Sequence, residues 1–128
     1  MVGTLGLGEV NIGSNGQSRL NGRSTGLTTP DAVLLQGALR DFVQAGVKSC
    51  VMEASSIGLS EGRLDGTRVR LALFTNFSQD HLDYHGTMEN YGAAKAKLFS
   101  LEYAEVALIN IDDQFGKKLF ENSQTKAP

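Results

Sequence analysis

Three short apolar runs, at residues 50–52, 69–75 and 106–109, alternate with stretches of helical spacing, and this alternation constrains the fold more than any other feature. Strands joined through helices run parallel, because a tight turn can only deliver an antiparallel neighbour. The expected class is therefore α/β, a mostly parallel sheet flanked by helices. One helix is predicted after Thr28, with Thr29 in the N-cap place and Pro30 at the first helical position. Val33, Leu34, Leu39, Phe42 and Val43 then recur at helical spacing, and Gly46 ends the helix. A second helix is predicted over residues 88–99, and a short one from Asp113. Residues 3–26 hold seven of the 15 glycines among many Asn and Ser, which predicts turns with a short strand or two at most.

Length and composition limit what such a sheet can serve. With 128 residues, 41% of them hydrophobic, the chain can bury one core and no more. A net charge of -2, with its basic residues scattered, argues against a nucleic-acid partner. The single cysteine, Cys50, has no internal disulfide partner and falls in an apolar run that reads as a buried strand. A reducing, cytoplasmic setting fits, and no apolar stretch approaches the ~20 residues of a membrane helix.

In an open parallel sheet a ligand lies beyond the carboxyl ends of the strands. All three runs here end in polar, metal-capable residues: Glu53, Ser55 and Ser56; then Thr75 and Asn76 leading to Asp80 and His81; then Asn110, Asp112 and Asp113. Each ending alone could equally be a turn or helix cap, whereas three together favour a site. Phosphate-loop signatures are absent from the sequence. Gly6 and Gly8 are followed by Asn11 where a dinucleotide fingerprint needs glycine, and no Gly-Lys-Thr or Gly-Lys-Ser occurs.

His81 and His85 are spaced for one helical side but lack the intervening Glu of a zinc protease. An oxygen-rich Mg²⁺ site using Glu53 and His81 is the alternative to a surface cap and a hydrogen-bonded loop histidine. Lys95 sits among small residues that would let its stem approach a site, though such a lysine commonly lies on a solvated face.

Taken as a set, the motifs are recognisable. Thr28-Thr29-Pro30-Asp31, Met52-Glu53-Ala54-Ser55-Ser56-Ile57-Gly58-Leu59 with Arg63, Phe74-Thr75-Asn76, Asp80-His81-Leu82-Asp83-Tyr84-His85-Gly86 with Tyr91 and Ala93-Ala94-Lys95, and Ile109-Asn110-Ile111-Asp112-Asp113 occur in that order. They resemble the central domain of the Mur ligase family, in its MurE branch. The resemblance implies ATP-dependent amide formation in peptidoglycan precursor synthesis. ATP would convert the D-glutamyl carboxylate of UDP-N-acetylmuramoyl-L-alanyl-D-glutamate to an acyl phosphate, from which the amine of a diamino acid displaces phosphate.

Residue by residue, the resemblance assigns Glu53 and His81 to magnesium and Lys95 to a carbamylated lysine that helps bind a second Mg²⁺. It assigns Thr28, Thr29, Ser55 and Arg63 to the muramoyl dipeptide, with Glu61 nearby, and Asn110 and Asp112 to the region of the adenine and ribose. Two positions depart from the pattern: Ile57 replaces a frequent His, and Glu61 stands where some members have Gln. An unpaired Glu61 would repel an anionic substrate. The family's phosphate loop is expected before residue 1 and its C-terminal domain after residue 128, so the chain reads as a partial central domain, inactive by itself. Exposed sheet and apolar surface would then favour self-association. The competing readings are a non-catalytic module that binds the UDP-sugar dipeptide, and a remnant without activity.

Overall fold

The computed structural model describes residues 1–100 and 103–124. The chain divides into two compact units, Met1–Asp65 and Gly66–Pro128.

In the first unit the glycine-rich start builds more sheet than its composition predicts. Strands β1 (Val2–Gly3), β2 (Gly6–Ile12) and β3 (Ser18–Arg23) form an antiparallel meander, with Thr4 and Leu5 making the first turn. Gly8 pairs with Gly22 across β2 and β3. A Cβ at Gly8 would sit 2.3 Å from the Asn21 carbonyl oxygen, and one at Gly22 would sit 2.2 Å from that of Leu7. These glycines serve close strand approach rather than a mobile loop, which explains why a turn-like composition yields strands.

Helix α1 (Ala32–Gln44) begins later than expected. Asp31, not Thr29, is its N-cap and accepts from the Leu34 amide at 3.0 Å, while Pro30 is buried just outside the helix. Leu35 and Ala38 form the buried face, whereas Val33 and Val43 point to solvent. Gly46, at φ +77°, terminates the helix, and the Val47 amide donates to the Phe42 carbonyl to close it.

The run at 50–52 is not a buried strand, and Cys50 is exposed. Only Met52 makes a bridge, parallel to Val2, with the Val2 amide donating to Val51 and the Glu53 amide to Val2. With this single partner strand the segment gains no second ladder, and Val51 stays outside the core. Helix α2 (Ser56–Ser60) follows at once, capped by the Ser55 hydroxyl oxygen, which accepts from the Gly58 amide at 3.0 Å.

In the second unit β4 (Val69–Phe74) and β5 (Ala104–Ile109) form the expected parallel pair, in register from Val69 opposite Ala104 to Phe74 opposite Ile109. Between them run α3 (Leu82–His85), α4 (Met88–Ala96) and a 3₁₀ turn at Lys97–Phe99, and α5 (Gln114–Gln124) follows. Ala72 and Phe74 are buried, while Leu71, Leu73, Val106 and Leu108 on the other face are all at least half exposed. Among the described residues no helix is long and apolar enough to cross a membrane.

The Asp113 carboxylate ties these strand ends together. One oxygen accepts from the Phe115 and Gly116 amides in the first turn of α5, and the other from the Phe77 amide beyond β4. The Gly116 amide foremost, with those of Phe77 and Phe115, holds this carboxyl below the ordinary carboxylate value of 3.8, against a smaller opposing effect of lost solvation.

Two outcomes follow. Thr29 is fully buried, and its hydroxyl both donates to the Glu53 carbonyl and accepts from the Ser55 amide, each at 2.9 Å. Thr29→Val keeps the shape but strands both groups, so chemical denaturation should show a loss of about 2 to 3 kcal/mol, with Thr29→Ser losing less; equal stability of the Val variant and the parent would contradict this. Because the folded Asp113 pKa is depressed, its stabilising contribution is present above about pH 4 and drains as pH falls further. Melts of Asp113→Asn should therefore fall less steeply with acidification below that pH than melts of the parent; parallel slopes would count against the assignment.

Candidate functional site

The first unit gathers its predicted ligand residues into one hydrogen-bonded edge, although they are up to 35 positions apart in sequence. Thr29 fixes the chain that carries Glu53 and Ser55 through the two bonds of its hydroxyl. Its own carbonyl accepts from Arg63 Nη1 at 2.8 Å. Gly58 permits this packing, since a Cβ there would lie 2.9 Å from the Thr29 Cβ. Arg63 is held from its other side by Glu61, whose Oε2 accepts from Nε at 2.8 Å and lies 2.5 Å from Nη2. Glu61 is thus paired, which weakens but does not abolish the repulsion expected of a bare carboxylate.

Glu53 itself is exposed and oriented by Thr4. The Thr4 hydroxyl donates to Glu53 Oε2 at 2.7 Å and the Thr4 amide to Oε1 at 3.2 Å. Thr4 Oγ1 also lies 3.0 Å from Thr28 Oγ1, which joins Thr28 to the same network. Two acceptor directions of the carboxylate remain for a ligand, as each oxygen carries two lone pairs. Thr4 is the participant that sequence reasoning missed. Its place between Gly3 and Gly6 marks a tight turn, but the turn reaches Glu53 only through tertiary structure.

In the second unit His81 and Lys95 meet at Tyr91. The His81 ring lies edge-on to Tyr91 with centroids 6.1 Å apart, and Lys95 Nζ stands 5.1 Å from the Tyr91 ring centre. Buried Tyr91 also packs against His85 and Phe77, and Phe77 stacks on Phe115. His81 has φ +51° and is the sole non-glycine with positive φ among the described residues. Its amide donates to Asp80 Oδ1 at 2.8 Å, and its Nε2 is 3.5 Å from Asp80 Oδ2. Such a conformation costs on the order of 1 kcal/mol and is characteristic of functional loops. Burial lowers the Lys95 amine pKa, with nearby Asp80 opposing.

Asn110 and Asp112 lie just past β5. The Asn110 side chain donates to the Thr75 carbonyl at 2.8 Å and accepts from the Asp112 amide at 3.1 Å, so it joins the two strand ends. Beside it a shallow cleft of about 340 Å³ is lined by Leu73, Phe74, Thr75, Leu108, Ile109 and Asn110. A larger, mainly apolar cleft of about 550 Å³ in the first unit shares only Glu53 with the hydroxyl network. Among the described residues no three His, Cys, Asp or Glu side chains cluster closely enough to hold a metal by themselves.

The comparisons with known proteins agree on one family. The chain is 49% identical over 124 residues to the UDP-N-acetylmuramoyl-L-alanyl-D-glutamate--2,6-diaminopimelate ligase of Acidovorax sp. (strain JS42), covering 97% of this chain and 23% of that protein. It is 50% identical over 119 residues to the protein of the same name from Ralstonia nicotianae, covering 93% and 21%. A solved structure of a UDP-N-acetylmuramoyl-L-alanyl-D-glutamate--2,6-diaminopimelate ligase superposes with a TM-score of 0.71 at 40% identity, over 91% of this chain and 23% of that one. The chain thus spans less than a quarter of the length of these relatives. Since the family described as Mur ligase middle domain matches residues 1–128 throughout, the chain belongs to that family.

Proposed function

We propose that this chain is the central part of an ATP-dependent ligase that joins a diamino acid to UDP-N-acetylmuramoyl-L-alanyl-D-glutamate through an acyl phosphate. The observation that carries the reading is the continuous network of Thr28, Thr4, Glu53, Thr29, Ser55, Arg63 and Glu61. It presents hydroxyls and a guanidinium, the groups that hold an anionic sugar-peptide, beside a carboxylate suited to a hard cation. The relatives' names support 2,6-diaminopimelate as the diamino acid.

In this reading Arg63 and the hydroxyls of Thr28 and Ser55 define the muramoyl-dipeptide edge, with Thr29 behind them. Ser55 caps α2 through its oxygen, which leaves its proton to donate outward. Thr29 contributes by position, because its hydroxyl is already committed. The resemblance assigns Glu53 of the first unit and His81 of the second to Mg²⁺, and carbamylated Lys95 of the second to a further Mg²⁺; such cations would screen the carboxylate and γ-phosphate as they approach. Lys95 fits that role because desolvation favours the neutral amine, the form whose nitrogen attacks CO₂ and then loses a proton to give the carbamate anion. Asn110 and Asp112 would flank the adenine and ribose of ATP beside the strand-end cleft.

The sequence contains no phosphate loop, so the chain alone binds without turning over. Calorimetric titration with UDP-N-acetylmuramoyl-L-alanyl-D-glutamate should give saturable heat that Arg63→Ala abolishes. Phosphate release with all three substrates should stay at background. Absence of binding would remove the reading as a substrate module, and sustained turnover would remove the claim of inactivity.

Two further outcomes belong to this reading. With ¹³C-bicarbonate and Mg²⁺, a carbamate carbon resonance should appear in the parent and vanish in Lys95→Arg; no resonance, or one that persists in the variant, would exclude Lys95 as the modified group. The exposed face of Leu71, Leu73, Val106 and Leu108 favours self-association of this chain. Sedimentation should show concentration-dependent mass, reduced by Leu73→Ser; a monomer at all concentrations would count against it.

A further inference from the structure

Arg63 is the most committed cation of the first unit, and its balance of partners points beyond a simple substrate contact. Its side chain is only 16% exposed, against 41% for its partner Glu61. The Thr29 carbonyl takes Nη1, and a single Glu61 oxygen faces both Nε and Nη2. All three nitrogens are therefore engaged, yet a guanidinium carries five N–H groups and can hold a further acceptor. Glu61 meanwhile cancels much of the charge that would draw an anion toward Arg63.

We propose that Glu61 is a positioning and charge-balancing residue that holds Arg63 in place and sets how strongly it takes an anionic ligand. The inference rests on the reading of this edge as the muramoyl-dipeptide site. A neutral hydrogen-bonding side chain at position 61 keeps the guanidinium oriented, since an amide oxygen can still accept from Nε. It also removes the negative charge that an incoming carboxylate or phosphate must approach. Position 61 therefore trades affinity for release: the glutamate weakens the anion contact while leaving its geometry intact. A side chain that acted only as a structural prop would leave ionic-strength dependence untouched, whereas a charge balance makes that dependence change.

The test is calorimetric titration of the 128-residue chain with UDP-N-acetylmuramoyl-L-alanyl-D-glutamate at low and high salt, for the parent, Glu61→Gln, Glu61→Ala and Arg63→Gln. Glu61→Gln should bind roughly three- to fivefold more tightly than the parent at low salt, the range expected for one partly exposed charge. Its affinity should fall more steeply with salt, so that the advantage shrinks at high ionic strength. Glu61→Ala, which loses orientation as well as charge, should gain less. Should Glu61→Gln fail to fold, the steeper salt dependence of Glu61→Ala relative to the parent carries the test of the charge balance.

Equal or weaker binding by Glu61→Gln, with an unchanged salt dependence, overturns the role of Glu61 while leaving the substrate site standing. Arg63→Gln that binds like the parent overturns the inference as well, because the anion would not be read by Arg63. No binding by the parent overturns both the inference and the site on which it rests.

Discussion

The Thr29 hydroxyl is the constraint on which the first unit depends. It is buried, and it satisfies a carbonyl and an amide of a segment that has one short bridge to Val2 and no longer ladder. An unpaired backbone group in that position would cost about 1 to 3 kcal/mol. The same residue offers its carbonyl to Arg63, so one side chain and one peptide group fix Glu53, Ser55 and the guanidinium together. Gly58 completes the arrangement by letting α2 approach Thr29 at a distance no side chain would tolerate. The groups proposed to face a ligand are held here by committed hydrogen bonds, the condition under which binding costs little reorganisation.

The second unit solves the same problem with rings rather than hydroxyls. The Tyr91 ring meets two histidines and the Lys95 amine, and it also packs on Phe77, which stacks on Phe115. Asp113 anchors that stack to the strand ends by accepting from the Phe77 and Phe115 amides. His81 keeps its left-handed backbone because Asp80, α3 and Tyr91 surround it. A lysine amine that is partly desolvated over an aromatic face is poised differently from a solvated one. That difference supports the proposal that Lys95 reacts with CO₂.

Much of this was legible in the sequence, for identifiable reasons. The parallel pair β4 and β5 and the helix after Asp113 follow from hydrophobic patterning, which is local, whereas the helix predicted over 88–99 is barely amphipathic and becomes α4 with a 3₁₀ turn. The polar residues past β4 and β5 are likewise found by position, because a parallel pair delivers both strand ends to one edge, whereas Glu53 and Ser55 follow no strand of that sheet. Thr29 was legible as a buried-edge signal only in hindsight: as a cap it had local support, but its real partners lie 24 and 26 residues away. Asp31, one of the strongest capping residue types, won the competition for α1. The strand at 50–52 failed because apolar composition does not supply a second pairing partner, and Cys50 remained exposed as a result. The meander at the start was hidden because glycine's use in close strand packing and its use in turns look alike in composition. Thr4 was missed for the same reason, as a turn residue whose contact with Glu53 spans 49 positions.

If Thr29 holds the ligand edge in the absence of ligand, the Ser55 amide is among the protected amides of the chain despite lying outside any strand or helix. Native-state hydrogen exchange measures this directly. The account predicts that Ser55 exchanges within about tenfold of the buried Ala38 amide in α1. Exchange of Ser55 at the rate of an unprotected loop amide would contradict it, and would mean that the edge is assembled by its ligand rather than by the fold.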